Sequence, residues 1–130
     1  MTRPSSKHPT ELELEILKVV WAQGPGTVRE VQARLQPFRK LAYTSVMTVM
    51  KIMVDKGYLR RTREGAGYQY SARLDYDTTA NRMLGDVVAR LFDGSHAAAS
   101  LRLLESADLD AEELAALRAL LRQKTREDGK

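Results

Sequence analysis

The order of start and stop signals between Thr10 and Ser71 constrains the fold of this chain more than any other feature. Thr10-Glu11-Leu12-Glu13 is a capping box: the hydroxyl accepts an amide hydrogen three residues on, and the carboxylate reaches back. Leu12, Ile16, Val19 and Val20 then fall on one arc at helical spacing, and Leu14, Leu17 and Trp21 widen it past half the circumference. So broad an apolar arc predicts a helix buried from two directions, ended by Gly24-Pro25-Gly26. A second capping box, Thr27-Val28-Arg29-Glu30, follows at once. Val28, Val31 and Leu35 keep the helical period, and Pro37 stops it. A third helix is expected over roughly 43–56, with Gly57 as its C-terminal cap.

The period then changes to that of strands. Tyr58–Arg63 and Tyr68–Ser71 are short and rich in strand formers, and Glu64-Gly65-Ala66-Gly67 between them offers two glycines for positive φ. Three helices followed by a hairpin predict a winged helix-turn-helix domain over 10–77, mainly α with a small β-hairpin wing. Residues 1–9, with Pro4 and Pro9, are expected to form a flexible tail.

Residues 78–130 read as helical throughout. Met83, Leu84, Val87, Val88, Leu91 and Phe92 share one arc of a helix over Thr79–Asp93, which Gly94 breaks. A short helix over His96–Glu105 carries Leu101, Leu103 and Leu104. Asp110 caps a last helix, with Glu112 and Glu113 in its first turn and Arg122 and Lys124 in its last, matching the macrodipole. Leu114, Leu117, Leu120 and Leu121 form its stripe. Helices this few cannot bury several leucine stripes in a core of their own. They either fold back on the winged domain or pack against a second copy, and the second copy is the expectation. Met83, Val87, Leu91, Leu101, Leu104, Leu114, Leu117, Leu120 and Leu121 are the candidate dimerisation residues.

Composition removes several functions. There is no Cys, so thiolate metal sites, disulfide frameworks and cysteine catalysis are excluded. His8 and His96 are too far apart to suggest a metal site, and no cofactor is expected. The first residues have no apolar core, and no stretch approaches the ~18 unbroken apolar residues of a membrane span. A soluble, cytoplasmic protein is the expectation. The net charge of +4 is modest, but it is unevenly placed. Within 39–63, seven basic residues (Arg39, Lys40, Lys51, Lys56, Arg60, Arg61, Arg63) face one acid, Asp55. That concentration fits a polyanion-binding face, and on composition alone it fits a solvated surface too.

The third helix favours the first of these. With Thr44 set at 0°, Val46, Val49, Met50, Met53 and Val54 occupy about 140–280° and form the expected buried face. Thr44, Thr48, Lys51 and Asp55 cluster opposite, flanked by Ser45, Met47 and Ile52. Short hydroxyl side chains let a helix backbone approach the floor of a major groove, where they bond base edges or phosphates and their methyls meet thymine. Arg61 and Arg63 alternate onto one face of the hairpin, with Arg60 on the other, so all three cannot meet DNA together. Tyr68 and Tyr70 are expected to pack inward. Thr27, at a helix N-terminus, is a candidate phosphate anchor as well as a cap. The candidate DNA-binding residues are therefore Thr27, Arg39, Lys40, Tyr43, Thr44, Ser45, Met47, Thr48, Lys51, Arg61 and Arg63.

Several segments together resemble the BlaI/MecI penicillinase-repressor family. These are Leu12–Trp21, Thr27-Val28-Arg29-Glu30-Val31, the run Leu41-Ala42-Tyr43-Thr44-Ser45-Val46-Met47-Thr48-Val49-Met50, Lys56-Gly57-Tyr58-Leu59 and Tyr68-Gln69-Tyr70. The resemblance covers roughly 10–124. It implies a bacterial repressor that binds a palindromic double-stranded operator as a homodimer, with recognition residues at Thr44, Ser45 and Thr48. It implies derepression when a membrane sensor-protease signals a β-lactam and the dimerisation helices are cut. The family's Asn-Phe cleavage pair aligns with Arg102-Leu103, a departure from the motif, and Ile52 stands where a basic residue is common. Related copper-responsive repressors use C-terminal Cys pairs, which are absent from this chain.

Two other classes bear on the same residues. A winged-helix protein-interaction adaptor would dimerise through the same helices, but would more often carry an acidic or apolar wing. An enzyme lacks support: no nucleophile–base pair, paired carboxylates or phosphate-binding glycine loop stands out.

Overall fold

The computed structural model describes residues 8–128. Their order is α1 (Glu11–Gln23), α2 (Val28–Leu35), α3 (Tyr43–Lys56), β1 (Leu59–Glu64), β2 (Gly67–Ala72), α4 (Tyr76–Leu91), α5 (His96–Ser106) and α6 (Ala111–Asp128). This is a mainly helical winged-helix fold followed by further helices. No helix among the described residues is long and apolar enough to cross a membrane. Packing divides the chain into two compact units, one ending at Asp86 and one beginning at Val87, rather than at the expected 77/78 boundary. The expected boundary falls inside the first turn of α4, which begins earlier than the periodicity implied because Asp75 caps it: its Oδ2 accepts the Thr78 amide at 3.1 Å.

In the first unit both capping boxes form as the sequence dictates. Thr10 Oγ1 accepts from the Glu13 amide at 3.2 Å and Glu13 Oε1 accepts from the Thr10 amide at 2.8 Å. Thr27 Oγ1 accepts from Glu30 at 3.1 Å, and Glu30 Oε1 accepts from Thr27 at 2.9 Å. α3 ends where Gly57 turns left-handed at φ 83°, with its amide donating to Met53 and Val54 carbonyls. A Cβ at Gly57 meets no atom, so Gly57→Ala carries only the backbone cost. It is expected to destabilise the domain by about 1 kcal/mol in urea unfolding, without loss of fold.

The core joins all three helices to the wing. Ile16 and Leu17 from α1, Val31 and Leu35 from α2, and Val46, Met50 and Met53 from α3 pack with Leu59 and Tyr70. Val49 and Val54 are half-buried at its edge, so the buried face of α3 is narrower than its apolar face. The expected second side of α1 is covered only in part, with Leu14 and Trp21 half-buried. Trp21 Nε1 donates to the Leu74 carbonyl at 2.8 Å, and the Trp21 ring meets Tyr76 edge-on at 5.4 Å.

The hairpin pairs Leu59 with Ala72 through to Glu64 with Gly67. Only one of its two glycines needs positive φ: Gly65, at 61°, while Gly67 belongs to β2. A further pairing was not legible in the sequence. Gly26 and Tyr70 exchange amide–carbonyl bonds at 3.0 and 2.8 Å, so the turn after α1 lies against the wing as a third short edge. Arg34 secures that turn, donating to the carbonyls of Gly24 at 2.6 Å and Pro25 at 3.2 Å. A Cβ on Gly26 would sit 3.0 Å from the Arg34 guanidinium, so a larger residue there would push that side chain against the bonds it makes to Gly24 and Pro25.

The expected tail is only partly outside the described residues. Residues 1–7 lie outside them, but His8 is half-buried with Nε2 3.3 Å from the Asp86 carboxylate.

In the second unit α4 ends at Leu91, two residues before the expected Asp93, because Asp93 and Gly94 both take positive φ. Ser95 caps α5 and Asp110 caps α6, where Glu113 completes a box with the Asp110 amide at 3.1 Å. α6 continues to Asp128, so Arg122 and Lys124 precede its last turn and Arg126 occupies it. Among the described residues of this unit only Val88 and Ala99 are buried apolar residues. Val87, Leu91, Leu101, Leu103, Leu104, Leu114, Leu120 and Leu121 are exposed, and Leu117 is half-buried.

Candidate nucleic-acid interface

The N-terminus of α2, one stripe of α3 and the inner face of the wing enclose a cleft of about 630 Å³. α2 contributes Thr27, Val28 and Arg29; α3 contributes Tyr43, Met47 and Lys51; the wing contributes Arg61, Gly67, Tyr68 and Tyr70. Tyr43, Met47 and Lys51 are spaced four apart and so share one helical stripe. Arg61 reaches the cleft because cross-strand partners share a sheet face. It pairs with Tyr70, which is only 2% exposed, and this fixes that face inward.

Three cations line this cleft, Arg29, Lys51 and Arg61, and the two arginines lie over its tyrosines. The Arg29 guanidinium lies over the Tyr43 ring at 5.1 Å, and that of Arg61 over Tyr68 at 4.6 Å. Arg63 approaches the same ring at 5.9 Å. Stacking uses the flat face of a guanidinium and leaves its in-plane N–H edge for a phosphate or base. At the α2 N-terminus the Thr27 amide, then the Thr27 side chain, hold the Glu30 carboxyl below its ordinary range. The cap is therefore complete above the ordinary carboxylate pKa and weakens as pH falls through the lowered value.

Beside the cleft, α3 presents Thr44, Ser45, Thr48 and Asp55 to solvent. The Thr48 hydroxyl donates to the Thr44 carbonyl at 2.8 Å, which leaves its oxygen lone pairs as acceptors on an exposed side chain. Of the two apolar flanks expected on this face, only Ile52 is exposed, at 44%. Met47 is half-buried against the core and forms part of the cleft wall.

The other candidate cations are placed differently. Arg39 Nε and a terminal nitrogen meet Glu15 at 3.1 and 3.2 Å, with Glu11 at 3.7 Å, so this side chain is held along α1. Lys40 is exposed and does not line the cleft. Lys56 pairs with buried Glu13 at 2.8 Å. Two of the seven cations in 39–63 are thus neutralised by acids on α1. Arg60 pairs with Ser71 on the outer face, as alternation requires. Sequence reasoning treated Arg29 only as part of a capping box and Tyr68 as packing; their signal was position, at a helix N-terminus and beside the wing tip.

Of the candidate dimerisation residues, Met83 lines a cavity with Trp21 in the first unit. The rest, from Val87 to Leu121, belong to the second unit. Arg102-Leu103 lies exposed within α5. Among the described residues no group of three or more His, Asp or Glu is placed to hold a metal.

The family model of the penicillinase repressor matches residues 9–123. The chain belongs to the penicillinase repressor family. It is 32% identical over 113 residues to a transcriptional regulator BlaI of Mycobacterium tuberculosis, covering 85% of this chain and 80% of that protein. To the penicillinase repressor of Bacillus licheniformis it is 24% identical over 114 residues, covering 88% and 89%. The solution structure of the DNA-binding domain of the repressor BlaI is similar at 26% identity over 55% of this chain and 89% of that one, with a TM-score of 0.48. Penicillinase repressors are DNA-binding transcriptional regulators and not enzymes, and the cleft described above belongs to such a regulator.

Proposed function

We propose that this penicillinase-repressor homologue acts as a homodimer on a palindromic operator and occludes a promoter. The observation that carries the reading is the convergence of Arg29, Lys51 and Arg61 on one cleft beside the hydroxyl face of α3. In this reading Thr44, Ser45 and Thr48 enter the major groove. Tyr43 and Lys51 border it, while Arg61 and Arg63 hold the adjacent backbone. A phosphate rests at the first turn of α2, beside Thr27. A dimer sets two such helices about one helical turn apart, or a multiple of it. Arg39 contributes less direct contact, because meeting DNA requires leaving Glu15.

Release of repression then follows from any weakening of the dimer, since a half-site alone binds far less tightly. Cleavage at Arg102-Leu103, by a membrane sensor-protease responding to a β-lactam-type cell-wall signal or by a protease it activates, is one such route. A protease needs an extended strand, so the cut requires α5 to unwind locally around a leucine already exposed.

The test uses a duplex carrying the palindrome nearest the protein's own gene. With about six phosphates neutralised per dimer, log affinity falls with log salt at a slope near −5. Thr48→Ala is expected to weaken operator binding with little loss of stability, and Arg63→Ala to weaken all sequences alike. A slope near zero, or both variants binding as wild type, overturns the assignment. The adaptor reading predicts that result.

A further inference from the structure

On the side of α1 away from the core, the first unit contains a second and separate cavity. Its volume is about 140 Å³, and it is lined by Leu14, Lys18 and Trp21 of α1 and by Tyr76, Thr79, Ala80 and Met83 of α4. It shares no residue with the DNA cleft. The polar hydrogens of two of its walls are already engaged. Trp21 Nε1 donates to the Leu74 carbonyl at 2.8 Å, and the Thr79 hydroxyl donates to the Asp75 carbonyl at 2.8 Å. These bonds also fix the walls, with Trp21 and Tyr76 held edge to face at 5.4 Å. What remains inside is apolar and aromatic surface, which holds a guest by dispersion and ring contact and not by hydrogen bonds. The one charge on the lining is Lys18, exposed and without an ion-pair partner among the described residues.

We infer that this cavity binds a small aromatic monocarboxylate, with the ring between Trp21, Tyr76 and Met83 and the carboxylate at the Lys18 ammonium. Size supports the ring: the depression, of about 140 Å³, has room for one six-membered ring seated on its apolar floor, while the side between Lys18 and Tyr76 stays open to solvent. Charge supports the carboxylate, because a cation at the mouth of an otherwise apolar cavity selects an anion attached to an apolar body.

Trp21 is the only tryptophan in the chain, so its emission reports on this cavity alone. Benzoate titrated into the full-length protein is expected to change that emission saturably, with a Kd of about 1–10 mM for so small a ligand. Lys18→Met keeps the apolar stem and removes the charge, and should weaken benzoate about threefold, the range of one exposed ion pair. Benzyl alcohol should bind wild type and Lys18→Met equally. Ala80→Leu fills the cavity and should abolish the saturable signal while melting as wild type. Linear, unsaturating quenching of wild type overturns the site, as does a folded Ala80→Leu that still binds. Closure of the cavity by a second copy of the chain would give that same lack of saturation. Equal benzoate affinity in wild type and Lys18→Met overturns the carboxylate assignment.

Discussion

Leu104→Glu combined with Leu121→Glu is expected to turn the proposed dimer into a monomer and to lower operator affinity about a hundredfold or more. Among its described residues the second unit, from Val87 onward, buries only Val88 and Ala99. Its exposed leucines include Leu91 at 71% and others on each of α5 and α6. The last turn of α4 with α5 and α6, burying so little, does not supply a core sufficient for independent stability. A face this apolar marks an interaction surface, and in the proposed homodimer a second copy completes it by symmetry. A glutamate introduced there leaves a desolvated charge without a partner, at a cost of several kcal/mol per subunit. Operator binding then loses its linkage, because the second half-site is no longer held at the millimolar effective concentration that a tethered partner provides, worth about 10²–10⁴ in avidity. Sedimentation and a binding titration on the same samples check both halves. A double variant that stays dimeric and binds as before would place the interface elsewhere. One that is monomeric yet binds undiminished would mean that dimerisation does not underlie affinity.

What the sequence made legible here was local. Both Thr-x-x-Glu boxes and the Gly57 cap depend on residues three or four apart, and each formed where its spacing placed it. The alternation of the hairpin put Arg61 and Arg63 on one face and Arg60 on the other for the same reason. The misses are non-local. Nothing near Gly26 announces that its backbone will bridge to Tyr70, far along the chain, because the partner is chosen by how the wing packs. Counting charge within 39–63 treated Arg39 and Lys56 as available, while their partners, Glu15 and Glu13, lie on α1. Arg29 was overlooked for the converse reason. It sits outside the basic window, and only the fold carries it to the cleft beside Tyr43. A window of sequence therefore overstated the cation set at one end and omitted a member at the other.

Glu13→Ala should cost about 3 kcal/mol of folding stability, more than any single surface charge on this chain. Glu13 is 3% exposed and serves two partners at once. Oε1 accepts the Thr10 amide at 2.8 Å, completing the cap of α1, and Oε2 meets Lys56 Nζ at 2.8 Å, joining the start of α1 to the end of α3. Removing it opens the capping box, worth about 1 kcal/mol, and leaves a partly buried ammonium without its counter-charge, worth about 2 more after allowance for the quarter of Lys56 that reaches solvent. Glu13→Gln retains a carbonyl oxygen for the Thr10 amide and should lose only the second of these. Adding Lys56→Met to Glu13→Gln removes the stranded charge and should restore part of the loss, as a double-mutant cycle in urea would register. Neither pairing lies on the DNA-facing stripe, so each folded variant should bind the operator as wild type does. If Lys56→Met alone weakened binding while leaving stability intact, Lys56 would belong to the interface, and its bond to Glu13 would be a resting position. Full stability of Glu13→Ala would mean that the ion pair contributes nothing net and that the α1–α3 joint is held by Ile16, Leu17 and Met53 alone.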